Sequence, residues 1–422
     1  MLSTNLRPRN VIVFPAFCLA SAIIASAILT HALDIVGFRA MPYVRLAVVG
    51  AAIVFVGTFL LQTRMRPRLA VGNLWRAVLA LQLLGLVYLV LGLIRQNSHF
   101  YLATDVVYLL MFFLTFLLGA WCYRIGTFAF SYRIMLRVVL ALVCITSFCW
   151  LFGLQVGTPP ELLVLWGCVL IISMAYKKHF HSLVLLLAVV PQIAGINRAL
   201  VLAVVGGLAI FFVSSALLKK LKVLSIVAIF LGVLVIVLNS LGTLEGSSFE
   251  RRINETLSLL SDGDRDMPVA LQQRFYEGQV VSQDLKKNTM LPVSLMFGLG
   301  AGYTLDMSQS IDSSVTNSQL LGEQYTHNIH FLSYALLARF GLLGALCFAF
   351  IFFTCAKRSF VLFKKPPSDN GTIELLANLF VVLLFIFSAP ASSFLFSSML
   401  LGYFCGIANE ARLTATQNRL LC

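Results

Sequence analysis

The sequence predicts an all-α fold: a polytopic transmembrane helical bundle of about twelve membrane-spanning helices with one large polar loop. Three observations predict it. The 422 residues are 59% apolar and only 11% charged. Runs of about 20 apolar residues recur along the chain, long enough to cross a hydrocarbon core of roughly 30 Å. Most of these runs lack the polar face that a helix of a soluble all-α protein needs.

A formal charge of +14 suggests nucleic acid until its distribution is read. Between Gly242 and Asn328 stand 11 acidic and 6 basic residues, so the rest of the chain carries the whole positive excess, much of it in short loops. That is the positive-inside bias of a membrane protein, and it argues against a nucleic-acid partner. The 9 cysteines include no CxxC pair, and none falls in the polar loop. They read as small apolar residues of helices plus a tail thiol, not as a disulfide framework. The opening MLSTNLRPRN before an apolar run reads as a signal anchor, without a small-residue cleavage site.

Hydrophobic runs place the segments near 11–30, 42–62, 74–95, 100–121, 132–152, 161–176, 179–197, 199–217, 221–241, 329–354, 372–388 and 391–408. The chain thus divides into a first membrane bundle (1–241), a polar loop (242–328), and a second membrane bundle with a tail (329–422). Arg64, Arg66 and Arg68 follow the second segment, Lys177 and Lys178 the sixth, Lys219, Lys220 and Lys222 the eighth, and Lys357, Arg358, Lys364 and Lys365 the tenth. All follow even-numbered segments, as does the tail with Arg412 and Arg419, while Arg7 and Arg9 precede the first. Both ends and these loops are therefore expected in the cytoplasm. The polar loop then faces outward.

A loop of roughly 85 residues is too long for a connector. Its 251–290 part sets Leu257, Leu259, Leu260, Val269, Leu271, Phe275, Val280 and Val281 among charges. That pattern predicts one or two amphipathic helices lying on the outer membrane-water interface, with SDGDRDMP as the turn between them.

Several chemistries find no support. There is no GxxxxGK[ST] and no HExxH. Asp262, Asp264 and Asp266 alternate without the following glycine and distal glutamate of a calcium loop, and read as a solvated turn. No metal site and no cofactor are expected. The GLGAG run at Gly298–Gly302 reads as a tight backbone bend rather than a nucleotide loop.

The candidate site is Tyr325 to Gly344, YTHNIHFLSYALLARFGLLG, where the polar loop re-enters the membrane. His327 and His330 lie three apart, on one face of a helix if the helix has begun. A histidine there can take a proton from a sugar hydroxyl near neutral pH. Asn328 stands beside them. Arg339 lies about ten residues into the segment, roughly 15 Å down a helix rising 1.5 Å per residue. It needs a buried partner, and Asp105 at the outer end of the fourth segment is a candidate. Arg198, in AGINRALVL, is either a functional cation at membrane depth or an interfacial arginine snorkelling outward. Arg274, in LQQRFYEGQ, read alone is a solvated charge on a loop helix.

Several local patterns, in this order and topology, resemble the O-antigen ligase and polymerase superfamily of bacterial envelopes. Ligases of that family carry an arginine followed by three residues and a leucine, which Arg198 to Leu202 fits. They carry a loop arginine upstream of a PLFGIGPG-like segment, and here Arg274 precedes LPVSLMFGLGAGY. They carry a histidine, often followed by asparagine, then about nine residues and GxxG, which Gly341 to Gly344 supplies. His330 has that spacing but lacks the asparagine. His327 has Asn328 but stands one helical turn further out. The dipeptide favours His327, with His330 as the alternative.

The resemblance implies a GT-C-like bundle and a metal-independent, inverting glycosyltransferase. Its donor would be a glycan on undecaprenyl diphosphate, and its acceptor a hydroxyl of lipid A–core, in lipopolysaccharide biosynthesis. Arg198 and Arg274 would hold the donor diphosphate, and a histidine would be the base. Membrane lipids would surround it. An O-antigen polymerase, a protein O-oligosaccharyltransferase and a lipid-linked sugar transporter are the alternatives. The absence of an internal repeat speaks against the transporter, and the single large loop favours the ligase.

Overall fold

The structure, a computed structural model, describes residues 71–124, 160–176, 198–214, 269–287, 291–306, 325–365 and 369–420, together with a few isolated positions. The segments expected at 11–30, 42–62, 132–152, 179–197 and 221–241, and the aspartate-rich turn, lie outside this part. The described chain is almost entirely helical: α1 (Asn73–Ile94), α2 (His99–Arg124), α3 (Pro160–Ala175), α4 (Arg198–Ser214), α5 (Val269–Lys287), α6 (Leu291–Phe297), α7 (Leu332–Phe363), α8 (Asp369–Ser388), α9 (Ser393–Ser397) and α10 (Met399–Leu420). Two short strands, β1 (Leu305–Asp306) and β2 (Tyr325–Thr326), pair antiparallel. Among the described residues, four helices are long and apolar enough to cross a membrane: α1, α2, α7 and the Gly371–Ser388 part of α8. This is a helical membrane protein.

Helix α8 is the central pillar. Its apolar window is 83% buried, against 28% for α1, because α3, α4, α7 and α10 all pack on it. A helix apolar all round suits that position. In α1 the exposed Leu79, Leu83, Leu86 and Val90 share one side, which suits a helix facing lipid.

Helices α2 and α10 run parallel and pack most closely of all, because small residues line their seam. A Cβ on Gly402 would stand 2.2 Å from the Phe112 carbonyl oxygen, and one on Gly406 2.1 Å from that of Phe116. From the other side, a Cβ on Gly119 would meet the Tyr403 carbonyl oxygen at 2.0 Å. Glycines four apart let backbones touch where lipid gives no hydrophobic drive to association. Gly406→Leu is therefore expected to force the helices apart and remove most of the monodisperse folded fraction on detergent size-exclusion chromatography. At the end of the bundle where α2 and α10 finish, Arg124 pairs with Glu410, and Arg358 with Glu374.

Helix α7 is broken at Gly341, whose φ of 62° and ψ of −167° are non-helical. The break has a partner. Gly298, at φ 78°, crosses it so closely that a Cβ on Gly341 would lie 2.4 Å from the Gly298 nitrogen. Only glycine at both positions combines positive φ with that approach. Leu299 N–H donates to the Ala338 carbonyl at 2.6 Å, using an acceptor next to the kink.

The rest of the glycine run is a wedge between helices. Ala301 N–H donates to Tyr88 O and Gly302 N–H to Asp105 Oδ2. Asn97 Nδ2 donates to the carbonyls of Leu299 and Ala301, and Arg95 to Gly298 O and Ser294 Oγ. With these backbone groups engaged inside the protein, residues 298–302 staple α1, α2 and α7 together.

Several element boundaries differ from the hydrophobic runs; α7 runs on to Phe363 and α10 to Leu420, past the expected ends at 354 and 408. The tenth segment begins helically at Leu332 rather than 329, because residues 329–331 are held out of the helix by neighbours described below. The twelfth splits into α9 and α10 at Ser398, whose ψ of 116° is extended. The loop helix also differs from expectation. The apolar face of α5, with Val280, Val281 and Leu285, packs against Leu299, Tyr303, Leu305, Ile329, Ala335 and Ala338. It is used on the protein rather than on lipid.

Candidate functional site

The site forms where α5, the 298–306 segment, the 325–331 segment and the 389–392 linker meet at one end of the bundle. Two histidine–carboxylate pairs occupy it.

The first pair is His330 with Glu277. Helix α5 presents Glu277, fully buried, to the residues preceding α7. Its Oε1 accepts from His330 Nδ1 at 2.7 Å, and its Oε2 accepts the His330 backbone N–H at 2.9 Å. Gln273, one turn earlier, donates to Oε1 at 3.5 Å. The linker after α8 grips the same segment from the other side. Ser392 N–H donates to His330 O at 2.8 Å, its hydroxyl donates to Ile329 O, and Leu332 N–H donates to Ala389 O. A carboxylate facing Nδ1 places the proton there and leaves the Nε2 lone pair directed away. The His330 side chain is 32% exposed, and its Nε2 has no hydrogen bond among the described residues. This ring is anchored on one nitrogen and open on the other.

The second pair is His327 with Asp105. Here both nitrogens are engaged: Nδ1 lies 2.7 Å from the Tyr303 carbonyl and Nε2 3.1 Å from Asp105 Oδ1. The ring stacks on Tyr101 with centroids 4.4 Å apart, and its side chain is 10% exposed. Asp105 lies in the second turn of α2, 2% exposed. Arg339 Nη1 lies 3.4 Å from its Oδ1, and Arg339 Nη2 donates to His327 O at 2.6 Å. The guanidinium also lies over the Phe396 ring, 5.1 Å from its centroid. Asp105, His327 and Arg339 thus form a buried ionic knot that locks the loop to α2 and α7. Beside it a small apolar crevice of about 20 Å³, little more than one water, lies among Phe112, Phe340, Phe348 and Phe396, with Asp105 on its wall.

The other sequence candidates fall around this pair of dyads. Arg274 lies on α5 one turn before Glu277, hence on the same helix face. Arg198 is the first residue of α4. Two contacts give the direction of that helix: Gly206 lies against Ile386, near the site end of α8, and Phe211 against Phe363, at the far end of α7. Arg198 therefore begins α4 at the site end; its side chain lies outside the described residues. Asn328 is exposed, and its backbone N–H donates to Thr326 Oγ1 at 3.3 Å.

Glu277 and Ser392 were not among the sequence candidates. The one signal for Glu277 was its i, i+3 spacing from Arg274. Tyr303 is another addition. Burial, reinforced by the Asp284 carboxylate it donates to at 2.6 Å, pushes its hydroxyl well above the usual tyrosine range. The phenol remains a donor and ties the 303–306 segment to α5.

No family model matches the chain, and no curated protein matches it. The functional argument therefore rests on this geometry and on the sequence patterns.

Proposed function

We propose that the protein is a membrane glycosyltransferase of the O-antigen ligase kind, moving a glycan from polyprenyl diphosphate to a hydroxyl of lipid A–core, with His330 as the base. The observation that carries this reading is the His330–Glu277 dyad: a ring anchored through Nδ1, open at Nε2, partly exposed at one end of an apolar bundle. That end is taken to be the periplasmic one, on the strength of the positive-inside charge pattern.

The step is a single displacement. His330 Nε2 takes the proton of the acceptor hydroxyl as its oxygen attacks the anomeric carbon of the donor. The bond from that carbon to the diphosphate oxygen breaks, and polyprenyl diphosphate leaves with the electron pair. Attack opposite the leaving group inverts the anomeric centre. A diphosphate is already a good leaving group, so its charge needs cations rather than a strong acid. Arg274 and Arg198 are the arginines for this, each able to bind two phosphate oxygens at once. Glu277 holds the imidazole in the useful tautomer and favours the imidazolium that forms.

Two findings move the base from His327, which the dipeptide with Asn328 favours, to His330. Both His327 nitrogens face acceptor oxygens of the protein, so neither is left open to a substrate. Of the two, His330 combines an orienting carboxylate with an open nitrogen. Arg339 and Asp105 then act in holding the loop rather than in chemistry.

The test is to incubate the purified full chain in lipid nanodiscs, with chelator and no nucleotide, with polyprenyl-diphosphate-linked glycan and lipid A–core. Glycosylated lipid A–core is the expected product. Lengthened donor-linked glycan with untouched core would make the protein a polymerase, and no product with a range of glycans would remove the reading. Glu277→Gln, which cannot accept the His330 backbone N–H and Nδ1–H together, is expected to lower kcat about 10²-fold with little change in acceptor KM.

A further inference from the structure

We infer that Phe275 and Gln279, on the outward face of α5, form the subsite that takes a pyranose ring of the acceptor saccharide. This inference rests on the reading of His330 as the base of a glycosyl transfer.

Among the described side chains of α5, the exposed ones are Phe275, Gln279, Gln283, Lys286 and Lys287. They recur at helical spacing and define one stripe. Four of the five are polar. Phe275, 46% exposed, is the single ring among them. A helix lying in the membrane interface turns its apolar stripe to lipid, and α5 has already used its apolar stripe, Val280, Val281 and Leu285, on the protein. The exposed phenyl is thus an apolar ring on an otherwise polar stripe of α5, apart from the apolar stripe that packs on the protein.

Its placement relates it to the dyad. Phe275 packs edge to face on Phe331, with centroids 5.7 Å apart, and Phe331 directly follows His330. Phe331 in turn lies 6.2 Å from Tyr334. Tyr334 fits there because Gly278 has no side chain; a Cβ would lie 2.2 Å from the Tyr334 ring. Phe275 therefore stands against the immediate neighbour of His330.

An aromatic face carries negative quadrupolar charge. The axial C–H bonds of a pyranose are polarised by their oxygens and lie on that face, while the equatorial hydroxyls point sideways. Gln279, one turn along, offers both an acceptor and two donors to such hydroxyls. A ring beside a planar amide matches a neutral sugar, whose apolar face and polar rim are both satisfied.

The test uses the full chain in lipid nanodiscs with donor saturating and lipid A–core varied. Phe275→Ala is expected to raise the acceptor KM about tenfold and leave the donor KM unchanged, while Phe275→Trp retains or lowers the acceptor KM. In a second measurement, the Phe275→Trp protein is titrated with delipidated core oligosaccharide, and the fluorescence change is read as a difference from wild type. Saturable change supports the subsite. Quenching of the new indole by lipids with brominated acyl chains would place the ring in the membrane and overturn it. An unchanged acceptor KM in Phe275→Ala, with an active wild type, overturns the subsite and leaves the reaction standing. Saturable oligosaccharide binding by a protein that transfers nothing leaves the subsite standing and overturns the reaction.

Discussion

His330→Ala is expected to lose glycan transfer about 10³-fold while the protein remains folded, since a positioned base contributes about 10² to 10⁴. The side chain is partly exposed, and its one hydrogen bond is to Glu277. Gln273 remains beside that carboxylate, and the backbone N–H of residue 330 still donates to it. Truncation therefore removes the open Nε2 and leaves the clamp on the backbone. His327→Ala should behave in the opposite way. It takes away a ring that stacks on Tyr101 and bridges Tyr303 O to Asp105. Its first effect is a lower melting temperature, and transfer falls only with the folded fraction. Assaying transfer and thermal unfolding of both variants in parallel separates the two roles. Equal losses of activity at unchanged stability would remove the distinction.

Arg339→Met is expected to destabilise the protein by about 3–5 kcal/mol, the cost of breaking a buried ion pair from one side. Asp105 would remain 2% exposed, without the cation 3.4 Å away. The His327 carbonyl would also lose its donor. The double variant Arg339→Met with Asp105→Leu should recover a large part of that loss. Replacing both partners by apolar groups of similar size leaves no stranded charge. Recovery would be incomplete, because Gly302 N–H and His327 Nε2 both face Asp105. Thermal unfolding of the two single variants and the double variant, compared as a cycle, measures the coupling directly. An additive cycle would mean that the two charges do not act together.

The membrane helices were legible because their cause is local. The apolar run at 74–95 becomes α1, and that at 100–121 becomes α2, with boundaries moved by a few residues. Continuous hydrophobicity over a membrane's width is enough to specify them. The start of α7 was not legible, because the residues before it are held out of the helix by Glu277, Ala389 and Ser392, between 53 and 63 positions away in sequence for the side-chain contacts. The break at Gly341 likewise depends on Gly298 crossing it.

The site was half legible for the same reason. His327, His330 and Arg339 stand out as polar residues at the edge of an apolar run. Which histidine has an open nitrogen depends on carboxylates from α2 and α5, and no spacing along the chain carries that information. Glu277 reads as one more loop charge until the fold buries it. The glycines at 298–302 signal a bend, but only the structure assigns their N–H groups to Tyr88, Ala338 and Asp105.

The most direct measurement is a cryo-EM structure of the His330→Ala variant in lipid nanodiscs, trapped with polyprenyl-diphosphate-linked glycan. The account predicts the diphosphate against Arg274 at the His330 end of the bundle, with the anomeric carbon turned toward the space left by the missing imidazole. A donor headgroup bound at the opposite end, near Arg124 and Glu410, or seated with its sugar on His327 and far from residue 330, would contradict it.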